Sequence, residues 1–185
     1  MAAGRRRLSP RTYSAPASFE MQLLPLPVAV ARLMLAGQLR SEVVKGHQAA
    51  TSRWHREYPM LDSVDAIAML FAAHRAMTGT VKESPAWWIH QIIVDGVVVG
   101  DIGFHGPPSP EREVEIGYSV VPAWRGQGVA TRACSLILQQ AWQDGADTVV
   151  AETDDGNVAS QAVLLRNGFR RRPDGVFAIN RPETR

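Results

Sequence analysis

The chain has 185 residues, of which 45% are hydrophobic and 21% charged, and its formal net charge at pH 7 is +2. A chain of this length can bury a core without metal or disulfide bonds, so one globular domain is expected. A charge this close to balance argues against a nucleic-acid-binding protein, which usually carries a dense basic stripe. No run of about 18 apolar residues occurs, so no membrane span is expected.

The first 17 residues contain the basic cluster Arg5-Arg6-Arg7. We interpret residues 1–17 as a disordered leader and residues 18–185 as a single domain. No apolar segment follows the arginines, as a secretory signal would require. The only cysteine, Cys134, excludes an intrachain disulfide and fits a reducing compartment, so a cytoplasmic protein is expected. Nucleic-acid binding through the basic leader stays open as a further hypothesis.

The first half of the domain alternates between strand and helix signals. Residues 19–26 predict a strand and residues 28–37 a short helix. Breakers then divide the chain into what we expect to be short helical pieces, namely Gly37, Gly46 and Pro59. A longer helix is expected to begin near Asp62 or Ser63, either of which could cap it, and to end at Gly79. Its periodicity predicts a core-facing set of Val64, Ile67, Ala68, Phe71 and Met77.

The period then changes to two, which indicates strands. Residues 88–94 and 97–104 predict a hairpin closed by Asp95-Gly96, a strong two-residue turn signal. Residues 113–120 predict a third antiparallel strand, and residues 128–143 a helix that ends at Gly145. The remaining elements follow in the order strand (148–153), helix ending at Asn167-Gly168, and hairpin (169–172 with 176–180). This order predicts an α/β domain with a mixed sheet.

The segment Arg125-Gly126-Gln127-Gly128-Val129-Ala130 lies where a strand gives way to a helix. The first turn of a helix presents unpaired N–H groups at the positive end of its dipole, which favours binding of a phosphate or diphosphate. Glycines let an anion approach the main chain. Arg125 could add a charged contact and Thr131 a hydroxyl. The segment matches neither the Walker nor the dinucleotide pattern, and a glycine turn that only starts a helix is the alternative.

The same segment resembles the Arg/Gln-x-x-Gly-x-Gly/Ala signature of the GNAT superfamily of acetyltransferases, with Arg125, Gly128 and Ala130 at its defining positions. The stretch from Asn157 to Gly168-Phe169 is similar to a later helix of that family. The resemblance covers about residues 19–181, and residues 85–170 best. Within the superfamily the chain looks closest to the ribosomal-protein N-terminal acetyltransferase branch.

This resemblance implies an α/β GNAT fold, with a mixed, mostly antiparallel sheet, a splayed parallel pair of strands and flanking helices. It also implies acetyl-CoA as acyl donor, without a metal. The donor's arm would lie between strands 113–120 and 148–153, paired with backbone groups of Tyr118 and Val120. The diphosphate would lie on residues 125–131, and Asn157 would bind the pantetheine. Helix capping is an alternative role for Asn157 that can coexist with binding.

An amine that attacks a thioester must lose a proton, so a general base is expected. We choose Glu115 on strand 113–120, because the resemblance places a base there; Glu113 on the same face is the reserve. The leaving thiolate can take a proton from an acid. The resemblance would place a tyrosine where this chain has Leu164, so Ser160 becomes the candidate acid and Tyr118, on the opposite face from Glu115, a weaker one.

Several other residues carry weaker signals. The histidines show no metal-ligand spacing (His47, His55, His74, His90 and His105), and no metal is expected. His105 could line the acceptor site, although a plain loop histidine is the commoner case. We expect Cys134 to pack in the core. We expect Trp87, Trp88 and Trp124 to be partly buried, with Trp87 or Trp88 a candidate wall of the acceptor site, and residues 170–172 to form an edge strand with solvated arginines.

Two hypotheses for function follow. In the first, the chain is an N-acetyltransferase for a small-molecule amine or a peptide N-terminus. In the second, it is an acyl-CoA-binding module with little turnover that serves as a sensor or assembly partner. Glu115 favours the first and the missing tyrosine at Leu164 the second. The acceptor and the oligomeric state, a homodimer included, cannot be read from the sequence.

Overall fold

The computed structural model describes residues 19–38, 53–80 and 86–183. Within them the chain forms eight strands and four α-helices. The strands are β1 (Met21–Pro25), β2 (Arg53–Trp54), β3 (Ile89–Val94), β4 (Val97–Phe104), β5 (Glu113–Val120), β6 (Thr148–Ala151), β7 (Arg170–Arg171) and β8 (Phe177–Asn180). The helices are α1 (Val28–Leu35), α2 (Leu61–Thr78), α3 (Val129–Gln143) and α4 (Val158–Arg166). None of these four helices is both long and apolar enough to cross a membrane. The predicted leader lies outside the described residues.

One mixed sheet holds these elements together. Its strand order is β1-β3-β4-β5-β6-β8-β7, with β2 paired to β4 off this path. Among the described strands, only β5 with β6 and the two-residue β2 with β4 run parallel; the other described pairs are antiparallel. The prediction of a mostly antiparallel mixed sheet with a parallel pair is therefore confirmed. The arginine-rich strand β7 is an edge strand, as predicted.

The parallel pair separates part of the way along. β5 pairs with β6 only from Glu113↔Thr148 to Glu115↔Val150. Its carboxyl half pairs only with β4, as far as Gly100↔Val120. A gap therefore opens on the other side of β5 from residue 116 onward, which confirms the predicted splay.

The helices lie on both faces of the sheet. The Tyr118 hydroxyl contacts Ser160 on α4, whereas the Ser119 hydroxyl contacts Met60 just before α2. Successive side chains of a strand point to opposite faces, so α4 and α2 flank β5 from opposite sides. α3 packs beside α4, and α1 packs beside α2. The two faces are therefore available for different ligands.

The hairpin and the core follow the sequence pattern closely. Asp95 and Gly96 both have positive φ, 47° and 75°, as a two-residue turn between β3 and β4 requires. Every residue of β3 is buried. Trp88 is fully buried rather than partly buried, because its indole Nε1 donates to the Leu26 carbonyl at 2.7 Å inside the core. Of the two tryptophans considered as acceptor-site walls, this one belongs to the core.

Helix α2 begins earlier than predicted, and the face that it buries differs from the predicted face. Its N-cap is Met60, and no side chain caps it, so the expected Asp62 or Ser63 cap is wrong; its end at Gly79 is confirmed. The buried residues are spaced three or four apart, at Ser63, Ile67, Leu70 and His74, while Ala68 is exposed. Apolar residues are distributed over nearly the whole circumference of this helix, and two of them, Leu61 and Met69, are exposed. The hydrophobic periodicity therefore could not identify the buried face. The Met77 side chain lies outside the described part.

The helical pieces expected after α1 are not found among the described residues that precede α2, which are residues 53–60. Residues 39–52 lie outside the described residues. Arg53 and Trp54 form a strand, because the Arg53 N–H donates to the Gly96 carbonyl and the His55 N–H to the Val98 carbonyl. The helical prediction is therefore wrong for Arg53–Trp54. Backbone pairing with β4 determines the conformation of these two residues. The local sequence does not predict this pairing.

Candidate active site

The glycine-rich loop ends in a helix start that no side chain blocks. Gly126 and Gly128 have φ of 73° and 83°, a conformation that residues with a Cβ rarely adopt. Gly128 is the N-cap of α3, and no side chain caps that helix. A Cβ built on either glycine meets no atom within 4 Å. Among the described residues, nothing crowds these two glycines at the start of α3, which leaves room for an anion there.

The side chains of the loop fix its shape. The Arg125 Nε donates to the Val120 carbonyl at 2.8 Å, and the Gln127 Nε2 donates to the Ala123 carbonyl at 2.9 Å. Val129 is buried, so only its backbone can face a ligand. Ala130 and Thr131 follow in the first turn of α3 and are partly exposed. All six predicted loop residues and Thr131 are thus contiguous at one helix start.

The gap between β5 and β6 is a cleft of about 420 Å³, which we call the interstrand cleft. It is lined by residues of both strands and of α4, among them Ile116, Gly117, Tyr118, Glu152, Asn157 and Ser160. The Glu115 carbonyl accepts from the His105 N–H, and the Val121 N–H donates to the Val99 carbonyl, so both bond on the β4 side of the chain. Because backbone groups alternate along a strand, those of Tyr118 and Val120 point toward the cleft. The Val120 carbonyl on that side already accepts from Arg125.

Two hydroxyls meet at the wall of the interstrand cleft. The Tyr118 hydroxyl lies 2.8 Å from the Ser160 Oγ and donates to the Ser160 carbonyl at 3.1 Å. Burial raises the pKa of Tyr118 to about 12, so this hydroxyl keeps its proton at neutral pH. The structure thus brings the two candidate acids, Ser160 and Tyr118, into one hydrogen-bonded pair.

Asn157 is the N-cap of α4. Its Oδ1 accepts from the Ser160 N–H at 3.1 Å, so the capping role considered from the sequence is confirmed. The same residue lines the interstrand cleft. Its amide nitrogen is the part that a ligand in the cleft could still engage.

Glu115 lies on the opposite face of β5 from Tyr118 and is paired with a histidine. The Nδ1 of His105 is 3.1 Å from the Glu115 Oε1, and the two residues also share a backbone hydrogen bond. This hydrogen bond raises the pKa of His105 above its ordinary 6.5, against an opposing effect of burial. The reserve candidate, Glu113, instead bonds Arg172 at 2.7 Å. The sequence analysis did not predict the contact between His105 and Glu115, because the local sequence does not show that the loop after β4 folds back over β5.

A second cavity of about 180 Å³ lies on the α2 side of the sheet, and we call it the α2 cavity. His105 lines it, and Glu115 lies behind His105 and lines neither cavity. Gly117 and Tyr118 line both cavities. A Cβ built on Gly117 would lie 2.6 Å from the Nε2 of His105, so only glycine lets this ring cover the strand. The two cavities therefore share a wall, formed by Gly117 and Tyr118 beside His105.

The α2 cavity also contains a buried carboxyl that the sequence analysis did not select. Asp101 on β4 is 3% exposed, and burial raises its pKa to about 7, an effect partly offset by the nearby Ser63 and Tyr58 hydroxyls. A signal was present in the sequence. Asp101 interrupts the otherwise apolar run of an internal strand, where an ionisable side chain is uncommon.

Arg171 and Cys134, which carry weaker signals in the sequence, line neither cavity. Arg171 forms an ion pair with Asp155 and stacks on Phe177. Cys134 is buried, as expected, and burial raises its pKa to about 12. His47 lies outside the described residues. Among the residues that are described, no group of three or more potential ligands could hold a metal ion.

The sequence of this chain is similar to a known family of domains and to two named bacterial proteins. Residues 38–170 match the family model described as an acetyltransferase (GNAT) domain. YdaF of Bacillus subtilis (strain 168), named as a ribosomal N-acetyltransferase, is 32% identical over 79 residues, 42% of this chain and 43% of that protein. YoaA of the same organism, named as an N-acetyltransferase, is 31% identical over 81 residues, 43% of this chain and 45% of that protein. The chain thus spans less than half the length of these curated relatives.

Among solved structures, RimJ of Mycobacterium smegmatis, in complex with CoA-disulfide, is similar in fold. Its TM-score is 0.55 at 23% identity, over 86% of this chain and 81% of that one. This likeness confirms the predicted fold class, and the family model covers more than half of the chain. The chain belongs to the GNAT acetyltransferase family.

Proposed function

We propose that this protein transfers an acetyl group from acetyl-CoA to a primary amine by direct attack within a ternary complex. The observation that carries the proposal is that two cavities on opposite faces of the sheet share Gly117 and Tyr118 as lining residues. A thioester in one cavity and an amine in the other would lie side by side there. Holding both reactants in place replaces a bimolecular encounter.

The donor would occupy the interstrand cleft. Its diphosphate would lie on the open amides at the start of α3, where Gly126 and Gly128 leave room. Its pantetheine arm would run along the unpaired edge of β5, past the backbone groups of Tyr118 and Val120. Asn157, at the opposite wall, can donate from its side-chain amide. The RimJ complex with CoA-disulfide supports a coenzyme A site on this fold.

The amine would be deprotonated by His105, with Glu115 as its partner. A carboxylate at Nδ1 holds the imidazole in the tautomer that leaves Nε2 free to accept a proton. In this arrangement Glu115, the base expected from the sequence, acts through the histidine. His105 faces the α2 cavity and Glu115 does not, which supports this division of roles.

The leaving sulfur would be protonated from the other face. As the amine nitrogen bonds to the carbonyl carbon, its proton passes to His105 and the carbon–sulfur bond breaks. The thiolate then takes a proton from the hydroxyl pair of Ser160 and Tyr118 in the interstrand cleft. Tyr118 and Glu115 lie on opposite faces, which suits an acid on the donor side and a base on the acceptor side.

An acetyl-transfer assay tests the proposal. The protein is incubated with acetyl-CoA and a panel of primary amines and short peptides, and release of free thiol is measured beside acetyl-CoA binding. Amine-dependent thiol release supports the enzyme. Tight acetyl-CoA binding without turnover on any amine supports the binding-module alternative instead. Absence of acetyl-CoA binding contradicts both.

A further inference from the structure

A group of buried polar side chains surrounds Asp101, which lines the α2 cavity. Asp101 and Gln91 face each other on β4 and β3, and Ser63 and Tyr58 approach from the α2 side. All four are at most 5% exposed. By strict geometry, five buried polar atoms of this group have no hydrogen-bond partner among the described residues, namely Asp101 Oδ2, Gln91 Oε1 and Nε2, Ser63 Oγ and Tyr58 OH. The Ser63 and Tyr58 hydroxyls still lie close enough to Asp101 to offset part of the rise in its pKa, so the members of the group partly satisfy one another. Asp101 is the member that lines the α2 cavity, and its carboxyl is therefore the group that a ligand there could reach.

The charges in the α2 cavity favour a cation. Asp101 and Asp62 both line it, and beside the larger effect of burial the negative charge of Asp62 adds to the rise in the pKa of Asp101. No lysine or arginine is among its described lining residues; only His105 can carry a positive charge. A buried carboxylate is costly unless it is paired with an opposite charge. An ammonium or guanidinium group would satisfy Asp101 and reduce the repulsion from Asp62.

The sheet register gives the distance between Asp101 and the proposed position of the reacting amine beside Gly117. Asp101 pairs with Ser119, and two residues farther along, Gly103 pairs with Gly117, which lines both cavities. Two residues of a strand span about 7 Å. The cavity wall also includes the aliphatic side chains of Ala66, Leu70 and Ile89. A cavity of about 180 Å³ suits a methylene chain better than a bulky ring.

We propose that the α2 cavity selects acceptors that carry a second positively charged group, bound by Asp101 about 7 Å from the amine that is acetylated. The inference rests on the proposed acetyl transfer for its reacting amine. The second cation could belong to a small diamine or to a basic side chain near the amino terminus of a peptide. Both sources offer Asp101 the same chemistry, an alkyl chain that ends in a cation.

The test compares acceptors that differ only in this charge. Cadaverine carries a second ammonium where hexylamine, of the same length, carries a methyl group. We expect kcat/KM to be at least about tenfold higher for cadaverine, the order of one charge-assisted hydrogen bond. Asp101→Asn should remove this preference through KM, so that kcat/KM for cadaverine falls to within about threefold of that for hexylamine in the same variant. A short peptide with lysine beside its amino terminus, against the same peptide with norleucine, forms the second arm.

Charge preference in either arm supports the inference and identifies the source. Equal kcat/KM for charged and uncharged acceptors in the unmodified protein overturns it, and so does an Asp101→Asn variant that loses kcat equally with both. If no acceptor turns over, calorimetric titration of cadaverine into the protein with bound coenzyme A decides the question. Binding that Asp101→Asn abolishes supports the inference although the proposed activity has failed. Absence of cadaverine binding in that complex overturns it.

Discussion

The Nδ1 of His105 lies 3.1 Å from the Oε1 of Glu115, and the backbone N–H of the same histidine donates to the carbonyl of the same glutamate at 3.0 Å. This double contact closes the loop that follows β4 back onto β5. It holds the imidazole over Gly117, where a Cβ would lie 2.6 Å from Nε2. The carboxylate therefore sets both the position and the proton affinity of the ring.

The first prediction concerns that proton affinity. The hydrogen bond to Glu115 raises the pKa of His105, so Glu115→Gln should lower it, because the imidazolium loses its anionic partner. Since the base must be neutral to act, the acid limb of the kcat/KM profile should move to lower pH, while the maximal rate falls. Proton NMR titration of the His105 ring measures the shift directly. An unchanged His105 pKa would contradict the pairing, whatever the assay shows.

The second prediction concerns the role of the ring itself. His105→Gln should lower kcat by roughly a hundredfold or more, the usual contribution of a general base. Acetyl-CoA affinity should stay within about threefold, because His105 lines the α2 cavity and not the interstrand cleft. Steady-state kinetics and calorimetry measure the two quantities.

His55 provides the matched control. It also lies near a glutamate, with its Nδ1 3.6 Å from Glu57, but it lines neither cavity. His55→Gln should keep kcat within about twofold of the unmodified protein. Equal losses in the two variants would show that the rate reflects general stability, and the proposed base would then be wrong.

The third prediction concerns the diphosphate loop. Gly128→Trp should lower acetyl-CoA affinity by at least about a hundredfold, because a side chain would fill the space in front of the α3 amides and remove several charge-assisted hydrogen bonds. Gly37→Trp is the control, since Gly37 also has positive φ (63°) and open space, at the end of α1. The two variants should melt within about 4 °C of each other. Unchanged affinity in Gly128→Trp would remove the loop assignment.

The sequence predicted the parts of this site that depend on contiguous pattern. The alternation of β5 placed Glu113 and Glu115 on one face and Tyr118 on the other, and the strand-to-helix pattern located the start of α3 at Gly128. The sequence offered His105 only as a possible lining residue of the acceptor site and not as a base. Its position depends on the path of a loop, and loop paths are set by tertiary contacts such as the one with Glu115. Asp101 was visible as a charge within an apolar strand, but its cavity exists only once α2 has packed on the sheet. The buried face of α2 was misassigned because apolar residues nearly encircle that helix.

The last prediction separates two roles of Asn157. Asn157→Ala removes the Oδ1 that caps α4, and it should lower the free energy of unfolding by about 1 kcal/mol. Asn157→Asp keeps an oxygen for the Ser160 N–H and should preserve stability within about 0.5 kcal/mol, because aspartate is an equally good N-cap. If the side-chain amide also donates to the pantetheine, Asn157→Asp should weaken acetyl-CoA binding although the fold is intact. Urea unfolding and calorimetry on both variants measure the two effects. An Asn157→Asp variant with normal stability and normal affinity would leave Asn157 as a cap only.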